Sequence, residues 1–388
     1  MQRAYINGKI FTGHSVETNK AILVDGETIA GLVNENEVPS HYKAQDLKEQ
    51  NIAPAFIDLQ IYGGNGRLFS AELSVDSLHA TYEYCLKGGC SHFMITMATN
   101  VSQKYKVAFE RIRTYWNEGG KGLLGLHLEG PYINPKYKGA QPEWGIRDPN
   151  FDECRELLDA AAGRIKLMTV APELPGGLEL IRWLTANGII ASVGHSDADY
   201  DTALAAIEAG AKRATHLYNA MSGLHHRKPG LAAAALNEPG ICAELICDGV
   251  HVHPRMARLA WQAKGRAGLS LVTDATGAQG VGDGTFTLGD FQIQVRGNLC
   301  TLLDGVTIAG SVLTMNNAAH NAMSFTGMDL VDVAHTASLI PAQACGVAER
   351  KGSLEVSKDA DIVVFRPDFT TAYTICAGEV AYQSEDRS

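Results

Sequence analysis

Three residues far apart in the sequence, Glu129, His195 and His216, make up a set that could bind a divalent metal ion. Each comes at or just after a short apolar segment typical of a buried β-strand. Two imidazoles and one carboxylate suit a catalytic Zn²⁺ that keeps an open position for water. Such an ion lowers the pKa of its bound water toward about 7 and polarises a carbonyl oxygen, so the set predicts metal-assisted hydrolysis.

A second carboxylate, Asp274, follows another strand-like segment and has no basic neighbour in the sequence. It is suited to accept a proton from the attacking water and to donate that proton to a leaving amine afterwards. Other interpretations stay open at this stage, because a single His at a strand end is commonly a satisfied polar residue. Glu129 could pair with a buried Arg, and Asp274 could cap a helix.

The elements that would position these residues begin at Pro54. From there, strand-length apolar segments alternate with segments of helical spacing, and this alternation predicts a parallel sheet. Eight such strands are typical of a (β/α)8 TIM-like barrel, in which the carboxyl ends of the strands surround one pocket. An open, doubly wound sheet is the alternative, but no Gly-rich phosphate-binding turn follows the first strand. The predicted strands are 55–61, 92–97, 123–128, 165–170, 189–193, 213–216, 242–247 and 269–273.

The two ends of the chain resemble each other and differ from the middle. Both have the alternating apolar pattern of short strands, and the N-terminal part contains Asn-Gly and Asp-Gly pairs as turn signals. We therefore predict a small β-sandwich domain built from residues 1–53 and 350–388. The hydrolase barrel would occupy residues 54–349, with an inserted hairpin at residues 285–300.

Composition excludes several classes of protein. The 388 residues carry a formal net charge of -10 and contain no long basic block, which argues against a nucleic-acid-binding surface. No apolar segment approaches the roughly 20 residues needed to span a bilayer, and the first residues lack the apolar core of a signal peptide. Eight cysteines without a C-x-x-C pair indicate reduced thiols, as expected of a cytoplasmic protein.

A basic cluster at residues 225–228 follows His216 in the sequence. It could be a solvated loop, or it could clamp a phosphate group, with the Arg227 guanidinium supplying paired charge-assisted hydrogen bonds. Further along, His251 and His253 form an H-x-H pair. We interpret His251 as a substrate contact and His253 as a surface residue.

Several short motifs combine into a recognisable pattern. They are Pro54-Ala-Phe-Ile-Asp-Leu-Gln60, His127-Leu-Glu-Gly-Pro131, Lys138-Gly-Ala140, Gly194-His-Ser196, Thr215-His-Leu-Tyr-Asn-Ala-Met221, Arg227-Lys-Pro-Gly230, Asp248-Gly-Val-His251, Leu271-Val-Thr-Asp-Ala-Thr276, Ile308-Ala-Gly-Ser311 and Asp359-Ala-Asp-Ile-Val-Val-Phe365. Through them the chain resembles the amidohydrolase superfamily, and within it the enzymes that deacetylate phosphorylated N-acetyl amino sugars. The resemblance covers essentially the whole chain.

The resemblance implies roles for individual residues. Glu129, His195 and His216 would hold one divalent metal ion, with Asp274 as the acid/base. The implied substrate contacts are Ala140, Gln141, Asn219, Ala220, Arg227, His251, Ile308, Ala309 and Gly310. The ion would be Zn²⁺, although Fe²⁺ and Co²⁺ accept the same ligands.

The resemblance also implies a substrate and an assembly. The substrate would be N-acetylglucosamine 6-phosphate; its galactosamine epimer and other amidohydrolase substrates are the alternatives. The enzyme would be a homodimer, in which the loop of Arg227 could reach the phosphate bound by the neighbouring subunit. A non-catalytic scaffold is disfavoured, because the chain keeps all four metal and acid/base residues.

Two departures from the family pattern affect the site. Many relatives carry an H-x-H pair at the end of the first barrel strand and hold a second metal there. This chain has Gln60 and Tyr62 instead, so we expect one tightly bound ion. Some relatives have a His that contacts the acetyl oxygen where this chain has Gln141. A Gln can still donate a hydrogen bond but cannot be cationic, so stabilisation of the oxyanion would depend more on the metal.

Overall fold

The computed structural model describes residues 2–278, 282–288 and 291–385. The largest sheet within them has eight strands, and each is adjacent to the next in the sequence. Consecutive strands from the second to the eighth pair in parallel. They are β1 (Phe56–Ile61), β2 (Cys90–Ala98), β3 (Leu123–Glu129), β4 (Ile165–Val170), β5 (Ile190–Val193), β6 (Arg213–Ala214), β7 (Cys242–Leu245) and β8 (Leu269–Leu271).

Backbone hydrogen bonds close this sheet into a barrel. The amide of Tyr62 donates to the carbonyl of Ala275 (2.8 Å), and the amide of Asp274 donates to the carbonyl of Gln60 (2.9 Å). These bonds join the end of β1 to the segment after β8 in parallel register. The predicted (β/α)8 barrel is therefore confirmed.

Helices follow most of the strands, as the helical spacing predicts. The α-helices are Phe69–Glu72, Val75–Lys87, Ser102–Asn117, Phe151–Ala161, Gly177–Ala186, Tyr200–Glu208, Leu231–Asn237, Pro254–Gly268, Met315–Thr326, Leu330–Ala334 and Ile340–Ala344, with a π-helical turn at His335–Leu339. Single 3₁₀ turns lie at Glu35–Glu37, Pro135–Tyr137 and Glu143–Gly145. The helix at Pro254–Gly268 bends at Gly265, whose φ of +59° is a left-handed conformation that favours glycine. The Lys-Gly pair there predicts a helix end at this position.

The ends of the chain form two further sheets, one of N-terminal strands and one of strands from both ends. One contains Thr28–Asn34, Lys20–Asp25, Gln2–Ile6 and Lys43–Asp46, in that order. The other contains Glu379–Gln383, Thr371–Cys376, Ile362–Phe365, Asn51–Pro54, Lys9–Phe11 and Val16–Glu17. Buried apolar residues from both sheets, among them Tyr5, Ile22, Ile52 and Ile362, form one hydrophobic core. This arrangement is that of a sandwich built from both termini.

A three-stranded antiparallel sheet interrupts the barrel where the inserted hairpin is predicted. Its strands are Gly284–Leu288, Phe291–Arg296 and Leu299–Leu302. A separate two-stranded ribbon pairs Gly63–Gly64 with Arg67–Leu68. The described residues fall into two compact units. One lies within the ranges 1–58, 84–92 and 314–388, and the other within 59–83 and 93–313. The domain boundaries at residues 53 and 350 stay a prediction.

Two whole-chain features bear on the type of protein. None of the eight cysteines is in a disulfide. Among the described residues, no helix combines the length and the apolar character needed to cross a membrane.

Part of the barrel interior is polar but internally satisfied. The Nε2 atom of His127 lies 2.8 Å from Oγ1 of Thr169, which in turn lies 2.8 Å from Oγ1 of Thr215. All three side chains are fully buried. Burial lowers the pKa of His127 to about 3, so the imidazole is neutral at physiological pH. The cluster therefore places no charge in the core.

A single carboxylate, that of Glu153, is the centre of a hydrogen-bonded cluster that stabilises the region around the helix Phe151–Ala161. The Glu153 carboxylate accepts hydrogen bonds from Arg147 Nε (2.9 Å), Arg147 Nη2 (2.6 Å), the Tyr132 hydroxyl (2.9 Å) and the Ser102 hydroxyl. Burial alone would raise the pKa of Glu153, but these hydrogen bonds outweigh it and lower the pKa from 4.5 to about 2. The lowered pKa means that the ionised carboxylate stabilises the folded state above about pH 4.5. This stabilisation is lost as the pH falls from about 4.5 toward 2.

We expect Glu153→Gln to destabilise the protein by about 2 kcal/mol at pH 7, allowing for partial solvent screening of the ion pair. The midpoint of thermal unfolding, Tm, would fall by about 2–3 °C. The difference from the wild type should shrink as the pH falls below about 4.5. Glu156→Gln is the matched control, because that carboxylate is 62% exposed and pairs only with Lys106 among the contacts described. A Glu153→Gln variant as stable as the Glu156→Gln variant at pH 7 would contradict the assignment.

Candidate metal centre

The three predicted metal ligands converge. Glu129 is the last residue of β3, while His195 and His216 each come two residues after the end of their strands, β5 and β6. The Glu129 Oε1 atom lies 3.2 Å from His195 Nε2 and 2.9 Å from His216 Nε2, and the two Nε2 atoms are 3.0 Å apart. One ligand atom from each residue thus lies within 4.8 Å of the others. All three side chains are buried.

The hydrogen bonding of the His195 imidazole fits a bound cation. The Nδ1 atom of His195 lies 2.8 Å from the carbonyl oxygen of Tyr137, which can only accept, so Nδ1 carries the proton. In the neutral ring, Nε2 of His195 then presents a lone pair toward the Glu129 oxygen and the other imidazole. The Glu129 oxygen and the two Nε2 atoms lie close enough together for a single cation to accept a lone pair from each of them. The donor set therefore suits a divalent ion with nitrogen and oxygen ligands.

The pKa shifts of Glu129 and His216 also indicate that a positive charge is favoured beside the Glu129 carboxylate. Burial alone would raise the pKa of Glu129, but the two imidazoles reverse this effect and hold the pKa well below its ordinary value. Burial alone would lower the pKa of His216, but the hydrogen bond and the negative charge of Glu129 outweigh it and raise that pKa. The site therefore keeps Glu129 ionised, as a metal ligand must be.

Unusual backbone conformations aim these side chains. The φ angles of His195, His216 and Asp274 are +49°, +33° and +53°. Such values are uncommon for residues with a side chain and persist where the surrounding contacts enforce them. Gly310 makes the last of these turns possible. A Cβ atom at Gly310, whose φ is +65°, would lie 2.9 Å from the carbonyl oxygen of Asp274 and 2.4 Å from Thr276 Cγ2.

Gln60 connects the acid/base candidate to the metal ligands. Its Nε2 atom donates to Glu129 Oε1 (2.9 Å) and to Asp274 Oδ1 (3.0 Å). The Gln60 amide group thus bridges two buried carboxylates, donating one hydrogen bond to each and fixing their orientation. In the sequence, Gln60 is notable because it stands where many relatives have an imidazole of a second metal site. Its position at the carboxyl end of β1 was the signal that could have indicated a role in this site.

Gln141 holds the other oxygen of Glu129. Its Nε2 atom donates to Glu129 Oε2 (2.6 Å) and to the Tyr62 hydroxyl (3.3 Å), while its Oε1 atom accepts from the Thr99 amide (2.8 Å). Gln141 is therefore engaged with a metal ligand in addition to lining the cavity described next. This contact was not predicted from the sequence.

A cavity of about 440 Å³ opens beside the metal ligands, which is within the range of small-molecule sites. Every predicted site residue lines it except Arg227. These lining residues are Glu129, Ala140, Gln141, His195, His216, Asn219, Ala220, His251, Asp274, Ile308, Ala309 and Gly310. Further lining residues that were not predicted as site residues include Tyr62, Lys136, Tyr137, Leu302 and Val306. They lie in loops, in the turn Pro135–Tyr137 or in the inserted sheet, where spacing carries no signal.

The His251 ring is oriented by a neighbouring carboxylate. Its Nδ1 atom lies 2.6 Å from Asp248 Oδ2, and the amides of Val250 and His251 both donate to Asp248 Oδ1 at 2.8 Å. Asp248 thus fixes both the backbone turn and the ring. His253 is exposed and instead caps the next helix, accepting from the amide of Arg255 (3.2 Å).

The basic cluster lies outside the cavity. Residues 223–229 are exposed, and Arg227 is among them. The amides of Arg227 and Lys228 donate to Nδ1 of His225 at 3.3 and 3.2 Å, so the loop has internal structure. Arg227 is not among the residues that line the cavity, so its predicted phosphate contact stays a prediction.

Comparison with protein families gives two matches that together span the chain. The profile described as Amidohydrolase family matches residues 51–381. The profile described as NagA composite domain matches residues 4–52.

Individual relatives agree with these matches. The chain is 38% identical to the N-acetylglucosamine-6-phosphate deacetylase of Bacillus subtilis, with 97% of this chain and 96% of that protein covered. It is 37% identical to the human N-acetylglucosamine-6-phosphate deacetylase, with coverages of 88% and 86%.

Solved structures agree as well. The enzyme of the same description from Pasteurella multocida superposes with a TM-score of 0.93 at 36% identity, covering 98% of this chain and 99% of that chain. An aspartate-to-alanine variant of the Mycobacterium smegmatis enzyme, in complex with N-acetyl-D-glucosamine-6-phosphate, superposes with a TM-score of 0.92 at 29% identity and the same coverages.

Proposed function

The chain belongs to the amidohydrolase family, and on that premise we propose that it deacetylates N-acetylglucosamine 6-phosphate to glucosamine 6-phosphate and acetate. The observation that carries the proposal is the convergence of Glu129, His195 and His216 beside a carboxylate, Asp274, that Gln60 holds in place. Relatives that align over nearly the whole chain carry the name of this activity.

The reaction can be assigned to residues of the site. A divalent ion held by Glu129, His195 and His216 would lower the pKa of a water molecule and polarise the amide carbonyl. Asp274 accepts a proton from the attacking water, whose oxygen forms a bond to the acetyl carbon. The bond between that carbon and the amide nitrogen then breaks, and Asp274 returns the proton to the leaving amine. Water is consumed, and one amine and one acetate are produced.

The surrounding residues would position the sugar and the reacting groups. Gln60 keeps the Asp274 carboxylate oriented toward the metal ligands, and Gln141 keeps Glu129 from rotating. His251, whose ring is fixed by Asp248, lines the cavity and would contact the substrate there. The cavity segment Ile308–Gly310 would supply backbone contacts.

We propose a single Zn²⁺ per subunit, with Fe²⁺ and Co²⁺ as chemically acceptable replacements. Gln60 and Tyr62 occupy positions where many relatives carry a second pair of metal-binding imidazoles. An amide and a phenol are poor replacements, and the Gln60 amide nitrogen is already donating to two carboxylates. This engagement supports a site for one ion.

We also propose a cytoplasmic homodimer. None of the eight cysteines is in a disulfide, which fits a reducing compartment. The exposed loop 223–229 fits an assembly in which Arg227 of one subunit reaches the phosphate bound in the other, since Arg227 does not line its own cavity.

Acetate release tests the function directly. The metal-loaded protein should hydrolyse N-acetylglucosamine 6-phosphate with a higher kcat/KM than N-acetylgalactosamine 6-phosphate or unphosphorylated N-acetylglucosamine. A higher kcat/KM for the galactosamine epimer would mean that the proposed substrate is wrong and that the proposed reaction is right. No hydrolysis of any acetamido sugar by protein shown to contain metal would overturn the proposal.

Arg227→Ala should raise KM for N-acetylglucosamine 6-phosphate at least tenfold and leave kcat nearly unchanged, because a guanidinium–phosphate contact contributes to binding throughout the reaction. Steady-state kinetics on the phosphorylated and unphosphorylated sugars give the comparison. The unphosphorylated sugar should be unaffected, and Lys228→Ala in the same loop is the control. Equal increases in KM for both sugars would show that Arg227 does not contact the phosphate.

A further inference from the structure

The loop after β4 contains a carboxylate with an unusual set of partners. Glu173 comes three residues after the end of β4, a barrel strand to which the sequence assigns no site residue. Its Oε1 atom accepts from Asn134 Nδ2 (2.9 Å) and from the amide of Asp197 (2.6 Å). Its Oε2 atom accepts from the Ser196 hydroxyl (2.6 Å). One carboxylate therefore joins the segment after β3 to the segment after β5.

These two segments enclose the metal ligand His195. On one side, the Asn134 amide donates to the carbonyl oxygen of His195 (2.9 Å). On the same segment, the carbonyl oxygen of Tyr137 accepts from Nδ1 of the His195 ring (2.8 Å). On the other side, Ser196 follows His195 directly in the chain. Both the backbone and the ring of His195 are thus held by groups that Glu173 ties together.

The backbone of His195 requires such a restraint. Its φ of +49° is a left-handed conformation that a β-carbon disfavours, so contacts around it must supply the difference. The Asn134 side chain makes the connection rigid, because its Oδ1 atom also accepts from the Lys136 amide (2.9 Å) and caps the turn Pro135–Tyr137. The carbonyl of Tyr137, which sets the protonated nitrogen of His195, ends this same turn.

We propose that Glu173 is a positioning residue for metal binding. It holds the turn Pro135–Tyr137 against the His195–Asp197 segment, so that Nδ1 of His195 is the protonated nitrogen and Nε2 faces Glu129 and His216. The carboxylate does not contact the cavity and takes no part in proton transfer. The inference rests on the proposed metal-dependent function, but it concerns the affinity of the site for the ion.

The test is metal binding, which needs no turnover. The Kd for Co²⁺ is measured by competition with a chromophoric chelator, and the visible absorption of the Co²⁺ protein reports its coordination. Glu173→Ala should weaken Co²⁺ binding at least about tenfold, the scale on which residues supporting metal ligands act, and should alter the absorption. Glu173→Gln keeps an oxygen for the two N–H donors, so it should restore most of the affinity.

Glu153→Ala is the matched control, because it also removes a partly buried carboxylate with several donors but has no contact with His195 or its neighbours. It should lose stability and keep the wild-type Kd for Co²⁺. Wild-type Co²⁺ affinity in Glu173→Ala, or an equal loss of affinity in Glu153→Ala, would overturn the proposal. If Glu173→Ala does not fold, Ser196→Ala decides, because it removes the hydrogen bond to Glu173 Oε2. A loss of Co²⁺ affinity of threefold or more supports the proposal, and a smaller loss would overturn it.

These outcomes are separate from those that test the enzymatic function. A wild-type protein that binds Co²⁺ but hydrolyses no acetamido sugar would refute the deacetylase proposal while leaving the role of Glu173 intact. A wild-type deacetylase with normal Co²⁺ affinity in both Glu173 variants would refute only the role of Glu173.

Discussion

Asp274→Asn should lower kcat for deacetylation by about 10³-fold or more while the protein still binds its metal ion. An Asn at this position keeps an oxygen to accept from Gln60 Nε2, a contact of 3.0 Å in the wild type, so the geometry is retained. It cannot take up the proton of the attacking water or deliver one to the amine. The measurement is acetate release at saturating substrate, with metal content determined on the same sample.

The control for this variant is Asp199→Asn. Asp199 caps the helix Tyr200–Glu208 and accepts from the amide of Thr202, a role that Asn fills equally well. Its kcat should stay close to that of the wild type. A kcat for Asp274→Asn within tenfold of the wild type, at full metal occupancy, would mean that another group moves the proton.

Glu129→Gln should weaken metal binding by at least about 100-fold, and activity should fall with occupancy. The change removes the anionic ligand. It also puts a hydrogen-bond donor where the wild type has only acceptors. Both oxygens of Glu129 accept from amide nitrogens, Oε1 from Gln60 and Oε2 from Gln141. A Gln at this position must place its own NH₂ group against one of these donors, so it cannot occupy the same position without loss.

The measurement is again the Kd for Co²⁺, together with kcat at several added metal concentrations. Glu143→Gln is the control, because that carboxylate lies on the nearby turn Glu143–Gly145 and its side chain is 72% exposed. It should bind metal as the wild type does. If Glu129→Gln kept the wild-type affinity, the ion would have to be bound elsewhere, and the three-ligand site would be wrong.

The barrel and the convergence of the candidate metal ligands were predictable, because both depend on local patterns and a general rule. Apolar strand segments alternate with helical ones, and parallel strands direct their carboxyl ends to one face. Glu129, His195, His216 and Asp274 each follow such a segment, so their convergence could be expected without knowing any contact. The structure confirms that the three ligand atoms meet. An eight-stranded barrel of this class is closed, so the pairing of β1 with the segment after β8 needed no separate sequence motif to predict it.

The contacts that orient these residues were not predictable in the same way. Nothing in the spacing indicates that Gln60 lies between Glu129 and Asp274, that Gln141 donates to Glu129, or that Glu173 joins the two segments around His195. These contacts join residues from 12 to 214 positions apart, and none of them follows from the period of a strand or a helix. The phosphate contact of Arg227 stays a prediction, because its loop does not line the cavity of its own chain.

By itself, the sequence determined which side chains come at the strand ends, and hence the fold, the ligand set and the type of chemistry. Only the tertiary structure decided where those side chains point and which atoms carry their protons. The reason is physical. Periodicity determines which face of an element a residue occupies, but beyond a strand end the direction of a side chain depends on turn dihedrals such as the +49° of His195. Those dihedrals are held by hydrogen bonds from distant segments, and so they exist only in the folded chain.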